Sequence, residues 1–353
     1  MPLLAIFLLL AVPALGAPPR KSRNIALVTV DGLRWQELLT GIDPLLMNAK
    51  EAGMEKAGPL RERFWRDNPS ERREALMPFF WKRLARSGVV LTSVRVSNGI
   101  RVSYPGYSEI LTGRAQDNVI KGNDEIQNPS ETVLEFLRRK LNLPAARVAL
   151  FGSWSTFRFI GESKPGSITI NAGYTSAQGS PRLAELSRLQ AEARTPWDTV
   201  RHDYVTFEMA LDYLKRNQPR VLHLALGETD DWAHNKRYDR VLTSIEYTDR
   251  CFETLWNTLQ KMPAYRNTTT LVIVPDHGRG SKLDDWDRHG AKVEGADRIW
   301  IAMLGPDTPA AGEVSTGDYF QRDVAPTILE ALGIDHREYS GVLGRPIAAA
   351  LKN

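Results

Sequence analysis

Short apolar runs that stop abruptly at a carboxylate set the pattern of this chain. Asn24-Ile-Ala-Leu-Val-Thr-Val30 gives way to Asp31-Gly32, and Arg220-Val-Leu-His-Leu-Ala-Leu226 runs into Gly227-Glu-Thr-Asp230. Leu271-Val-Ile-Val-Pro275 meets Asp276-His277-Gly278 in the same manner. Runs of this length and β-branched content predict buried strands. Val89 to Val96, Arg147 to Phe151 and Ile299 to Leu304 read alike. Between them the spacing becomes helical: from Pro78 to Gly88, after Pro105 to Gly113, and over Pro129–Lys140, Tyr204–Lys215, Tyr238–Leu259 and Asp323–Leu332. Asn128, Pro129 and Glu131 stand in the order of a cap, a first-turn proline and a capping-box acid. Strands alternating with helices predict an α/β fold, a mostly parallel central sheet with helices on both faces. Two stretches break the rhythm. Residues of about 40–77 are polar, charged and unpatterned, and read as an excursion outside the core. Those of about 155–200, rich in Gly, Pro, Ser and Thr, read as loops or a small cap beside a site.

Composition changes this picture little. With 42% hydrophobic and 25% charged residues, the 353-residue chain has the balance of a globular enzyme. Its net charge of +4 is mildly basic, and no Lys/Arg run marks a nucleic-acid arm. The N-terminus is another matter. Leu3–Val12 is apolar and Ala14-Leu15-Gly16 is small enough for a signal peptidase, so residues 1–16 are expected to be a cleaved signal peptide. The apolar run is shorter than the ~20 residues of a membrane span. A periplasmic or secreted domain covering 17–353, with no transmembrane helix after cleavage, is the resulting expectation. Cys251 is the single cysteine, which excludes an intrachain disulfide and a thiolate metal cluster.

Candidate chemistry gathers at the strand ends, where ligands collect in open α/β sheets. Asp31, Asp230, His234, Asp276, His277 and His289 (in Trp286-Asp-Arg-His289-Gly290) all fall there. Asp230 and His234 are four apart, so one helical turn brings both to one ion. Mixed Asp/His donors suit Zn²⁺ first and Mn²⁺ second. Three aspartates and an ionised serine would balance two divalent ions. Ser103, in Ser103-Tyr-Pro-Gly-Tyr107, falls at a helix N-terminus and has two readings. It is either an N-cap or a nucleophile favoured by the helix dipole and by metal charge. Tyr104, Tyr107 and Trp154 are candidate walls of a leaving-group pocket.

Five motifs carry a resemblance: Val-Thr-Val-Asp31-Gly, Ser103-Tyr-Pro-Gly-Tyr with Leu-Thr-Gly113, Glu-Thr-Asp230-x-x-x-His234, Pro-Asp276-His277-Gly and His289-Gly. In order and character they resemble the alkaline phosphatase superfamily, most of all its type I phosphodiesterase/nucleotide pyrophosphatase branch. The resemblance implies an alkaline phosphatase-like fold and a two-metal hydrolase of small phosphoric esters. It implies that Asp230, His234 and His289 hold one zinc and that Asp31, Asp276 and His277 hold the other. Ser103 would lie between them as ligand and covalent nucleophile. Asn123, with Asp124 as the alternative, would bind a phosphoryl oxygen. The branch usually has Thr where this chain has Ser103, and the Lys-x-Arg clamp of some monoesterases is absent around Ser153–Arg158, where Arg158 is the candidate for a partial replacement. Gly106 and Tyr107 replace the Ser-Arg of the sulfatase signature, which argues against an arylsulfatase. A phosphotransferase or phosphomutase of the same fold, or a binding protein without turnover, are the competing readings.

Overall fold

A computed structural model describes residues 19–54 and 58–352, so the expected signal peptide lies outside the described residues. Nine strands form one sheet: β1 (Asn24–Val30), β2 (Val89–Arg95), β3 (Val148–Gly152), β4 (Thr169–Ala172), β5 (Val221–Leu226), β6 (Thr269–Pro275), β7 (Arg298–Leu304), β8 (Gly312–Val314) and β9 (Tyr319–Phe320). Their order is β4-β3-β5-β1-β6-β7-β2-β8, with β9 also pairing with β2. Only β7 runs against the rest. The mostly parallel sheet is thus as the pattern predicts.

The all-apolar run of β1 has a simple cause. Ala26, Val28 and Val30 pack into one core and Ile25 and Leu27 into the other, because successive side chains leave opposite faces. Helices therefore cover both faces, and every residue of β1, β5 and β6 is buried.

Three expectations need correction. The stretch 40–77 is not outside the core. It carries helices Gly58–Phe64 and Pro69–Leu76, and Leu46, Met47, Met54, Phe64 and Leu76 join a main hydrophobic cluster. Likewise 155–200 supplies an edge strand, β4, and the helix Pro181–Glu192. The third helix expected from the pattern starts later, at Val133. Its cap is Thr132, whose capping box uses Glu135 rather than Glu131. Asn128 instead accepts the Ser130 N–H at 3.2 Å and donates to the Ile160 carbonyl at 3.1 Å.

Strand order positions the site. β5 and β6 flank β1 in parallel, with Val30 beside Leu226 on one side and Pro275 on the other. The three chains leave the sheet together, so Asp31, Asp230 and Asp276 emerge at one edge although they are far apart in sequence.

Candidate metal centre

Each side chain of the cluster is set by the element beneath it. Asp276 lies at the end of β6 and is fully buried. Its Oδ1 accepts the N–H groups of Gly32 and His277, both at 3.0 Å. Asp31 follows β1, and its Oδ2 accepts the Tyr107 hydroxyl at 3.0 Å. Asp230 and His234 share the helix Glu228–His234, one turn apart, with Oδ2 and Nε2 3.0 Å from each other. That helix is anchored by buried Asp203, which accepts the N–H groups of Gly227 at 2.8 Å and Glu228 at 3.0 Å. His202 is half-buried and pairs with Glu228 at 2.9 Å.

The imidazoles are oriented from behind. The Nδ1 of His277 faces the Gly278 carbonyl at 3.0 Å, and that of His289 faces the Arg101 carbonyl at 3.1 Å. A carbonyl only accepts, so each Nδ1 is the donor and each Nε2 is turned to the cluster. The Nε2 of His277 lies 3.4 Å from both Asp31 and Asp276 and 3.7 Å from Asp230. His234 and His289 point their Nε2 atoms at each other across 3.0 Å. The His277 and His289 rings stack with centroids 3.9 Å apart.

Ser103 opens the helix Ser103–Thr112, all of whose residues are buried. The helix lies hard against β6: a Cβ at Gly106 would sit 2.2 Å from the Asp276 carbonyl oxygen. That approach places the Ser103 Oγ 3.4 Å from the His277 Nε2. Ser103 does not cap the helix. The residue before it, Val102, holds the cap position, with no side-chain cap bond. Asn123 is exposed, but its Oδ1 accepts the Tyr104 N–H at 2.9 Å, which brings it beside Ser103. No such contact links Asp124 to this helix among the described residues. Tyr104 and Tyr107 are fully buried and bonded, to the Ile126 carbonyl at 2.7 Å and to Asp31, so neither walls a pocket. Of the three aromatics, Trp154 alone is half-exposed. Arg158 is exposed and bonded to the Ser155 carbonyl at 3.3 Å.

Do these residues fit divalent ions? Donors around one tetrahedral zinc at ~2.0–2.2 Å lie about 3–3.5 Å apart. Most of the separations above have that size. Asp31 Oδ1 and Asp276 Oδ2 are buried without any hydrogen-bond partner, an arrangement that costs free energy unless a cation sits between them. Donor atoms of Asp31, Asp276 and His277 lie within 4.8 Å of one another, as do those of Asp230, His277 and His289. The donor set fits.

Sequence reading missed one residue here. Arg279, fully buried, donates to the Asp230 carboxylate, to the Asp230 carbonyl at 3.1 Å and to the Asp287 carbonyl at 2.7 Å. The balance of three aspartates and an ionised serine against two divalent ions thus leaves out a guanidinium.

Protonation follows from the same geometry. Burial works against the His277 imidazolium, but Asp276 and then Asp31 outweigh it and raise the group to about 9. Burial, then Asp31, pushes Asp276 well above the carboxylate range. Burial, then the charge of His277, lowers both His234 and His289, which are neutral and ready to donate. Below about pH 9 the metal-free protein therefore holds a proton on the Asp276–His277 pair that an ion must displace. Zinc binding at pH 7 is expected to release at least one proton, and affinity should climb with pH and flatten beyond about 9. Calorimetry in buffers of different ionisation enthalpy measures this; a pH-independent affinity contradicts it.

The chain matches the family model described as Sulfatase over residues 23–334. A curated relative, the 2,3-bisphosphoglycerate-independent phosphoglycerate mutase of Haloarcula marismortui, is 23% identical over 141 residues, which are 40% of this chain and 25% of that protein. The match therefore spans a quarter of that relative. The wild-type alkaline phosphatase PafA has a TM-score of 0.62 at 12% identity, covering 95% of this chain and 100% of its own. A phosphonate monoester hydrolase, SpPMH from Silicibacter pomeroyi, gives 0.58 at 15% identity, covering 92% and 76%. At such identities the structural likeness is one of fold. The family match is of another kind, since it takes in the whole sheet and every residue of the cluster: the chain belongs to the Sulfatase family, within the alkaline phosphatase superfamily.

Proposed function

We propose that this protein hydrolyses phosphoric esters in two displacements through a phosphoseryl intermediate on Ser103, as in the type I phosphodiesterase branch. The observation that carries the reading is the place of the Ser103 Oγ. It sits at a helix N-terminus, 3.4 Å from the His277 Nε2, which in turn lies 3.4 Å from each of two carboxylate oxygens that lack partners. Asp31, Asp276 and His277 would hold one divalent ion, and Asp230, His234 and His289 the other. Zinc suits this donor set best and manganese next. Bound ions would supply positive charge favouring the Ser103 alkoxide and the departing ester oxygen.

The chain's own groups do the rest. In the first displacement the Ser103 Oγ bonds to phosphorus, the ester P–O bond breaks, and the serine proton leaves with the alcohol. In the second, water bonds to phosphorus and the Ser103 P–O bond breaks, returning a proton to the Oγ. The dipole of Ser103–Thr112 favours negative charge at its N-terminus in both. With its Oδ1 taken by the Tyr104 N–H, the Asn123 amide keeps both N–H bonds free for a phosphoryl oxygen. Gly106 and Tyr107 leave a sulfate-type Ser-Arg pair without a counterpart, which supports phosphorus over sulfur. The N-terminal apolar run supports export of a single domain, residues 17–353.

The test compares bis-p-nitrophenyl phosphate, p-nitrophenyl phosphate and p-nitrophenyl sulfate, with and without Zn²⁺. Zinc-dependent cleavage of a phosphate ester is expected, and the diester-to-monoester ratio assigns the preference. Faster cleavage of the sulfate sinks the reading. The likeness to a mutase favours a second reading, transfer to an acceptor; p-nitrophenol that appears only when glycerol or a sugar is added selects it.

A further inference from the structure

The two groups of donors differ in charge and in exposure. Asp31 and Asp276 bring two carboxylates to His277, each with one buried oxygen free of partners, and the three side chains are at most 9% exposed. Asp230 is the single carboxylate of the other group. Its Oδ2 faces His234, whose side chain is 46% exposed, and its Oδ1 is claimed by Arg279. An arginine is not deprotonated in proteins, so the charge of Asp230 is already countered before any ion arrives.

The position of Arg279 is imposed by its loop. A Cβ at the preceding Gly278 would lie 2.3 Å from the Arg298 carbonyl oxygen and 2.4 Å from that of Gly295, so the chain is pinned where Arg279 leaves it. The Asp287 carbonyl holds Nη1 at 2.7 Å. Neighbouring Arg34 gives no relief, being paired with Glu37 and Asp43. Counting only the donor side chains and Arg279, and with the His277 proton displaced, a divalent ion faces two net negative charges at Asp31–Asp276–His277. At Asp230–His234–His289 it meets none.

Resting on the reading of these groups as metal sites, we propose that Arg279 is built in as a fixed cation, making the two sites unequal. The ion at Asp31–Asp276–His277 is resident. The ion at Asp230–His234–His289 is weakly held, exchanges with solvent and sets the free-metal concentration at which the enzyme works. Coulomb attraction at close range in a partly buried site is large enough to separate the two affinities by about 100-fold or more.

Metal-free full-length protein titrated with Zn²⁺ against a chromophoric chelator decides this. Two resolved steps, one ion each, are expected. Arg279→Gln should tighten the weaker step by about 10-fold or more, since it removes a charge that repels the ion. Arg279→Lys keeps the charge and should keep the gap. A group that merely props up Asp230 would do the opposite, because losing such support ordinarily weakens metal binding. Equal affinities in the wild type, or a weaker second step in Arg279→Gln, overturn the proposal. Should Arg279→Gln fail to fold by circular dichroism, the wild-type and Arg279→Lys isotherms decide alone: two well-separated steps in both uphold it, and equal steps in either overturn it. A wild type that binds no zinc sinks the metal reading itself, an outcome distinct from two equal sites.

Discussion

Ser103→Ala is expected to lower kcat/KM for phosphate ester cleavage by on the order of 10³-fold or more while leaving the fold intact. The large effect follows from the lack of a substitute. The Tyr107 hydroxyl is donated to Asp31 and the Tyr104 hydroxyl to the Ile126 carbonyl, so neither can take over the attack. The small structural effect follows from the helix start, where Ser103 makes no capping bond that alanine would forfeit. A methyl group also fits the helix, alanine being the best helix former. Because Ser103 is one donor among seven, zinc should still bind. Acid-quenched wild-type enzyme should carry phosphate on Ser103 and the variant none, which mass spectrometry reads directly. Full activity in Ser103→Ala would exclude a serine intermediate.

The strands that carry the cluster were legible because apolar run and terminating carboxylate lie next to each other in sequence, as at Val30-Asp31 and Pro275-Asp276. What sequence could not show is why these ends meet. That depends on β5 and β6 flanking β1, and such pairings join residues some 200 to 250 positions apart. Short edge strands escaped for a related reason. β4 is four residues, only two of them buried, and β9 is two, both half-exposed, so neither has an apolar run to announce it.

The stretch 40–77 misled for a different reason. One buried charge there is satisfied by backbone carbonyls rather than by an acid: Arg72 donates to the Thr40 carbonyl at 2.7 Å and to that of Arg66 at 3.1 Å, and lies over the Trp65 ring. A charged residue satisfied in this way looks solvated in sequence. Arg279 was hidden similarly, since Asp230 lies 49 positions away and nothing local marks the pair. Pairs of this kind are visible only once the fold is known, whereas a histidine or aspartate at a strand end advertises itself.

Gly32→Ala should disable the centre without replacing any donor. Gly32 has φ +54°, a left-handed conformation that costs a residue with a Cβ roughly 1 kcal/mol, and its N–H is one of two bonds holding the Asp276 Oδ1. That cost alone is modest. The decisive effect is where the methyl would go: 2.6 Å from Asp230 Oδ1, 2.7 Å from Arg279 Nε and 3.2 Å from His277 Cε1. Side-chain ends often yield to such contacts, but these have nowhere to yield. Asp230 is held between Arg279 and His234, Arg279 is tied to the Asp287 carbonyl, and His277 is fully buried with its Nδ1 against Gly278. Moving Asp230 by even ~1 Å carries it out of reach of an ion bound at ~2 Å. Zinc affinity should therefore drop about 100-fold at the Asp230–His234–His289 group, with activity falling in step, whereas metal-free melting should show a loss of only ~1–3 kcal/mol. The contrast is what discriminates. If Gly32→Ala melts early yet binds two ions as the wild type does, the carboxylates are held by something other than this turn. If it binds poorly at nearly unchanged stability, the space left by one missing Cβ is what assembles the site.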